Sequence, residues 1–368
     1  GNISAAYLRL GPMFKGIEMR AVADINLEAA QSRATEFGVR ACTVDELLAA
    51  DDIDIVVNLT IPAAHFEVSS ACLKAGKHVY SEKPFVLSLE EGAALKSLAD
   101  ANGLRVGSAP DTFLGGSHQQ ARKLIDDGAV GTVTGGTAFV MSHGMEHWHP
   151  NPDFFFLPGA GPILDVGPYY VINLIQLIGP VTRVAGFATT PDATRTIASE
   201  PRKGEQIPVE TPTTIHSVLE FASGAVVTLV ASWDVWGGHR HAPMELYGSK
   251  GSLFLPDPNF FAGKLEMAGI DESPAEVAPW NHPFGVINDG EQANYRVSGL
   301  ADMVRAIQEG GPHRCSLEMS LHAVEVMTGV LKAGETGQVV TMTTSCDRPD
   351  ALGPDAASKL MAPTPVEA

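Results

Sequence analysis

Three groups of residues have the types and spacing to do chemistry. The chain opens on Gly1-Asn2-Ile3-Ser4, runs straight into a helical pattern, and places Asp24 at the end of the first strand-like run. That order matches the second half of a dinucleotide fingerprint. There, a glycine lets the backbone approach a pyrophosphate, a helix N-terminus supplies amide donors, and an acid about 20 residues further on binds the adenosine ribose. Gly1, Asn2 and Ile3 would then face the cofactor, although an ordinary helix start accounts for the same residues. The second group is Tyr80-Ser81-Glu82-Lys83-Pro84, just past a short apolar run. Open α/β sheets bind ligands outside the carboxyl ends of their strands, so Glu82, Lys83 and Pro84 sit where a cofactor would lie. The third group is the stretch 142–152, with His143, Glu146, His147 and His149 around Trp148. These could be drawn as zinc ligands, but tight metal sites take their spacing from one helix or hairpin. The prolines at 150 and 152 describe an irregular loop instead, so no metal is expected. Two readings of the loop stand: plain packing, or a polyol-binding loop in which His147, Trp148 and His149 offer donors and a flat stacking surface.

Positioning these residues takes two architectures. Up to about residue 110, strand-like runs at 19–24, 53–60, 78–81 and 104–108 alternate with helical stretches at 27–37, 45–50, 65–75 and 89–101. Strands alternating with helices of about 10–15 residues imply βαβ units and a parallel sheet. The spacing predicts a doubly wound α/β domain over 1–115. Beyond residue 130 the strands lengthen, at 133–142, 181–189, 214–221, 225–233, 243–247 and 252–255, and Gly/Pro/Asp-rich turns join them. Helical patterns at 119–127, 165–178, 297–309 and 317–333 interrupt. An α+β domain over 116–345 with a large, mainly antiparallel open sheet is expected, followed by a loosely packed tail over 346–368.

Composition narrows the function classes. With 45% hydrophobic and 18% charged residues over 368 positions, the chain is globular, and disorder, collagen and coiled coil are excluded. The formal net charge of −18 with no Lys/Arg run argues against nucleic acid or an anionic membrane surface as partner. Cys42, Cys72, Cys315 and Cys346 are far apart with no CxxC, which reads as reduced thiols in a cytoplasmic setting. Weaker candidates are Asp111, at a strand end and able to touch substrate or cap a helix, and Trp233-Asp234-Val235-Trp236 with His239 and His241. The latter line a cleft or cover the sheet edge.

Glu82-Lys83-Pro84, the Thr60-Ile61-Pro62 turn followed by His65, and the motif running from Gly159-Ala160-Gly161 through Asp165 to Tyr169 together resemble the Gfo/Idh/MocA oxidoreductases. This is the glucose–fructose oxidoreductase and inositol dehydrogenase family. The resemblance covers essentially the whole chain, including Gly248-Ser249-Lys250-Gly251-Ser252-Leu253. It implies an NAD(P)-binding Rossmann domain, a substrate domain, and interconversion of a hydroxyl/keto pair on sugars, sugar derivatives or cyclitols. It also implies a homodimer or homotetramer packed through the open sheets. On this resemblance Thr60, Pro62, His65, Glu82, Lys83 and Pro84 line the cofactor and Lys83 contacts the reacting oxygen. Asp165 is the aspartate of the second motif. Tyr169 takes the place of a histidine that serves many members as acid/base, and Ile172 stands where an acid often follows. The i to i+4 spacing places Asp165 and Tyr169 on one helix face.

Removing hydride from a carbinol carbon requires a base within about 2.6–3.2 Å of the hydroxyl and a cation to stabilise the developing alkoxide. Free Tyr and Lys both titrate near 10, so the site is expected to shift them, with desolvation or like charge around Lys83 contributing. NAD is favoured over NADP because Asp24 repels a 2′-phosphate and the nearest following arginine is Arg33. Two alternatives stand: a reductase of a dicarbonyl or anhydro-sugar, and a non-catalytic regulator that senses dinucleotide with the same fold. Because Gly1 falls inside the fingerprint, the strand and first glycine of such a turn are expected in residues preceding it, where an export signal could also lie.

Overall fold

The computed structural model describes residues 2–363. Gly1 lies outside the described residues. In the N-terminal domain Ala21–Ala23 pairs with Arg40–Cys42, and Ile55–Asn58, His78–Ser81 and Val106–Ser108 form a three-stranded sheet in that order; every pairing is parallel. The helices between them begin and end on local chemistry. The Asn26 side chain accepts from the first-turn amides of Leu27–Phe37, and Gly38, at φ 67°, closes that helix. Thr43 and Glu46 form a reciprocal capping box for Val44–Ala49. Ser88 caps Leu89–Asn102.

The second domain is built on a nine-stranded sheet. Its spatial order is Ala275–Glu276, Glu266–Gly269, Gly251–Leu255, Met244–Gly248, Val133–Met141, Val226–Ser232, Thr214–Phe221, Val181–Thr189 and Val340–Thr341. Val133–Met141 and Val226–Ser232 run parallel and the other pairings are antiparallel. Along Thr214–Phe221 the alternation is strict: Ile215, Ser217, Leu219 and Phe221 face inward, while His216 and Val218 face out. The inner face packs on the helices Gly167–Ile178 and Leu317–Thr336. Leu219, Leu229, Leu246 and Leu253 are fully buried there, each worth roughly 1.5–3 kcal/mol relative to exposure.

Three expectations need correction. The helix read over 165–178 is two helices, Pro162–Asp165 and Gly167–Ile178, with a break at Val166. Pro168, in the first turn of the second helix, has no amide with which to continue the i to i−4 ladder back into the first. Residues 346–363 are not loose. Leu352, Ala357 and Leu360 are buried, and Pro354–Leu360 is a helix packed on Ser298–Glu309. Arg122 and Arg314 donate to the Pro349 and Asp350 carbonyls, and Leu352 N donates to Gln119 Oε1. Finally, the turn-rich stretch after 189 holds a hairpin, Thr194–Thr196 with Gln206–Pro208. It has its own small core of Phe156, Ile197, Ile207, Val209 and Trp233. Trp233 is therefore interior and lines no cleft, whereas Trp236 is exposed.

Candidate active site

The strand His78–Ser81, central in its three-stranded sheet, delivers Glu82 and Lys83 to its carboxyl end, and Glu82 N continues the pairing to Asn58 O. Asn58 organises the turn opposite. Its Nδ2 donates to His65 O and Ser69 Oγ, and its Oδ1 accepts from Thr60 N and Oγ1. Sequence reasoning passed over Asn58 because it reads as one more strand residue. Pro62 opens the short 3₁₀ turn Pro62–Ala64, leaving Thr60 and Ile61 exposed. His65 departs from its expected cofactor contact. It is buried, with Nδ1 2.7 Å from Pro84 O and Nε2 3.0 Å from Thr60 O, so it ties the two turns together from behind.

Lys83, Asp165 and Tyr169 come together. Lys83 Nζ donates to Asp165 Oδ1 at 2.8 Å and to the Asp165 carbonyl at 2.6 Å, and it lies 5.4 Å from the centroid of the Tyr169 ring. The helix break at Val166 does not separate them, because Tyr169 N still bonds to Val166 O across it. Burial works against the ammonium charge, but the Asp165 carboxylate and then Tyr169 outweigh it, so the Lys83 pKa is raised. This reverses the expected loosening of its proton. Lys83 is a fixed cation, with two of its three N–H donors used and one left. Next to it burial pushes the Glu82 carboxyl up.

Arg296 also stands at the site, and sequence reasoning missed it. Its guanidinium donates to Asn259 Oδ1 at 3.1 Å. Burial opposes its charge, but the adjoining Tyr169 phenol, Asp111 and Glu82 raise its pKa. The next residue, Val297, has φ 119°, a strained conformation for a β-branched residue, and its N–H donates to Asp111 Oδ2. Of the two roles the sequence leaves open for Asp111, substrate contact or helix cap, its contacts are those of a cap. Its Oδ2 accepts from Val297 N, Ser298 Oγ and Gly299 N at the start of Ser298–Glu309, and it is buried, which pushes its carboxyl up.

At the other candidate end, Ile3 lies in the first turn of Asn2–Leu10. Asp24 is exposed just past Ala21–Ala23, with Oδ1 accepting from Asn26 N. Ile25 beside it is fully exposed and Ile61 is 65% exposed, both at carboxyl ends of parallel strands. Arg33 pairs with Glu36. An exposed carboxylate flanked by apolar side chains fits an adenosine, with the acid accepting from ribose hydroxyls and the apolar groups packing on the base.

The loop residues take other partners. His147 Nδ1 is 2.6 Å from Gly144 O, His149 Nδ1 accepts from Asn151 N, and Trp148 is exposed. Glu146 is buried against Arg195, and His143 packs edge-on to Trp236. Among the described residues no three His, Cys, Asp or Glu side chains converge as metal ligands, and no contact joins His147, Trp148 or His149 to the Lys83 cluster.

A parallel N-terminal sheet with its ligand-facing turns at the strand ends defines a dinucleotide-binding domain, here joined to a large mixed sheet. Residues 1–109 match the oxidoreductase family with an NAD-binding Rossmann fold, and residues 118–254 match the GFO/IDH/MocA C-terminal domain. The chain belongs to the Gfo/Idh/MocA oxidoreductase family. It is 25% identical over 260 residues to a levoglucosan dehydrogenase of Pseudarthrobacter phenanthrenivorans, a match spanning 64% of each chain and so just under two thirds of that relative. It is 29% identical over 334 residues to a D-xylose 1-dehydrogenase (NADP(+)) of Haloferax volcanii, covering 88% of this chain and 92% of the other. A levoglucosan dehydrogenase solved with NADH and L-sorbose superposes with a TM-score of 0.79 at 20% identity, covering 94% of this chain and 97% of that one, and establishes the shared fold.

Proposed function

We propose that this chain is an NAD-dependent oxidoreductase that moves hydride between nicotinamide and a hydroxyl/keto carbon of a sugar, sugar derivative or cyclitol. The observation that carries this reading is the Lys83–Asp165 pair beside Tyr169 at the carboxyl end of a parallel strand. The sugar-directed names of the relatives support the substrate class. Asp24, Ile25, Ile61 and the start of Asn2–Leu10 would hold the adenosine half, and the turns at Thr60 and Glu82 to Pro84 the remainder. When bound, the nicotinamide supplies the hydride acceptor or donor.

The chain's own residues manage the oxygen and its proton. The third N–H of Lys83 binds the reacting oxygen, and its fixed charge favours the alkoxide over the alcohol. Asp165 keeps that charge in place and aims it through two contacts on one residue. The Tyr169 phenol passes the proton, with Arg296 alongside to orient it. Like-charged Lys83 and Arg296 flanking one phenol concentrate positive potential where negative charge develops. Initial rates at 340 nm with NAD+ and NADP+ against a panel of pyranoses, anhydro-sugars and inositols test this reading. Turnover of at least one with NAD+ is expected, and none with any panel member and either dinucleotide refutes it.

The subunits are proposed to associate through the outer face of the large sheet. Phe187 is 75% exposed there, in register with His216, and Val218 and Val226 are also exposed. That face and an open edge would be covered in a homodimer or homotetramer.

A further inference from the structure

The strand Thr194–Thr196 and the turn residues Glu146 and His147 line an open cavity of about 280 Å³ that the proposed reaction does not use. Its wall includes His143, Glu146, His147, Asp192, Arg195 and Trp236. We propose that this cavity is a second carbohydrate site, selective for an uncharged pyranose ring.

The wall is built around buried charge. Arg195 and Glu146 are each about 3% exposed and lie 3.5 Å apart, and Arg195 also pairs closely with Asp234. Thr213 and Thr214 hydroxyls donate to Asp234 Oδ2 and hold that carboxylate in place. Buried ion pairs give little net stability compared with apolar packing, and the hairpin already has an apolar core. Packing therefore gives no reason for a charged wall. Just beneath the cavity surface, Arg195 Nε and Glu146 Oε2 are buried with no hydrogen-bond partner among the described residues, so the charged layer under the wall is not fully satisfied by the fold.

The shape and charge select the ligand. Trp236 is 55% exposed, and its ring is fixed by the Arg195 guanidinium 4.8 Å from its centroid and by the His143 ring edge-on at 4.4 Å. A rigid indole face beside carboxylate and imidazole groups suits a pyranose, whose C–H face stacks while its rim hydroxyls hydrogen-bond. Asp192, exposed at the mouth and without a partner among the described residues, is placed to take a pair of hydroxyls. Glu146 and Asp192 line the cavity, Asp234 stands behind it on Arg195, and this excess of carboxylates over the single guanidinium disfavours uronates and sugar phosphates.

The test is calorimetric titration of the full chain, without dinucleotide, with methyl β-glucopyranoside and with glucuronate. Saturable glucoside binding is expected, weakened about tenfold by Trp236→Ala and largely retained by Trp236→Phe. Lys83→Ala should leave it unchanged, and glucuronate should bind at least about tenfold more weakly. Circular dichroism identifies any variant that fails to fold, in which case Asp192→Asn, on the exposed rim, carries the test with a several-fold loss. The proposal is overturned if wild type shows no saturable binding, if glucuronate binds as tightly, or if binding survives Trp236→Ala and is lost in Lys83→Ala. The last result would place the glucoside at the Lys83 site and leave the dehydrogenase reading standing.

Discussion

Asp165→Asn isolates what the Asp165 charge does for Lys83. The two side chains are 17% and 21% exposed and meet at 2.8 Å, and the Asp165 carbonyl takes a second bond from the same ammonium. Asparagine keeps the carbonyl contact, the volume and one acceptor oxygen, so Lys83 stays in place and loses only its counter-charge. Two unit charges about 4 Å apart at an effective dielectric near 20 attract by about 4 kcal/mol, and partial solvent access reduces this to roughly 2–3 kcal/mol. That corresponds to a drop in kcat of roughly 30- to 150-fold. The sign for pH follows from the same balance. In the native protein the carboxylate overcomes burial and raises the Lys83 pKa, so the ammonium persists through the alkaline range. Without the carboxylate, burial dominates and the pKa falls below the ordinary lysine value of about 10.4. An alkaline limb that wild type lacks below pH 10 should therefore enter the profile of kcat in Asp165→Asn, measured as initial rates at 340 nm from pH 6 to 10 with saturating NAD+. NADH affinity, followed by fluorescence, should stay close to wild type. A variant with unchanged kcat, or with lowered kcat and no new alkaline limb, would refute the role given to Asp165.

Lys83→Ala should cost about 10²–10³ in kcat by removing the donor to the reacting oxygen, with NADH still bound in a fluorescence titration; wild-type-like turnover would end the assignment. Arg296→Met should lower kcat by about tenfold with little change in KM, since Arg296 is placed to act on Tyr169 and not on substrate; equal loss in both would make it a binding residue. Asp24→Ser should narrow the preference for NADH over NADPH by about tenfold, measured as a ratio of dissociation constants, because the carboxylate that repels a 2′-phosphate is gone. Stability should fall in acid. Burial pushes His118 and His313 down to about 4, so each folded pKa lies below the unfolded value near 6.5. Each group therefore contributes fully above about pH 6.5 and loses roughly 3 kcal/mol as pH falls to 4. Urea midpoints that stay level between pH 7 and 4.5 would contradict this.

The readable parts of the molecule are those written in local pattern. The strands His78–Ser81, Val181–Thr189 and Thr214–Phe221 and the helix Leu27–Phe37 fall where apolar periodicity and capping residues place them. Lys83 was legible because a lysine at the end of a buried strand is out of place on any solvated surface. Arg296 was not, since it reaches Tyr169 across 126 intervening positions and lies in a segment with no periodicity of its own. His65 and Asp111 were named for their chemical type, but the His65 ring nitrogens lie on backbone carbonyls and Asp111 Oδ2 accepts from the start of Ser298–Glu309, which only the folded chain reveals. The tail read as loose because Asp, Pro and Ala dominate its composition, yet a few apolar residues, Leu352, Ala357 and Leu360, suffice to dock it.

The most direct test of the proposed chemistry is a crystal structure of the ternary complex with NADH and a sugar that the enzyme turns over. One sugar oxygen is expected within about 3.2 Å of both Lys83 Nζ and the Tyr169 hydroxyl, with the Lys83–Asp165 contact intact. A sugar whose reacting oxygen is held by the His147–His149 loop, with Lys83 and Tyr169 out of reach, would contradict it.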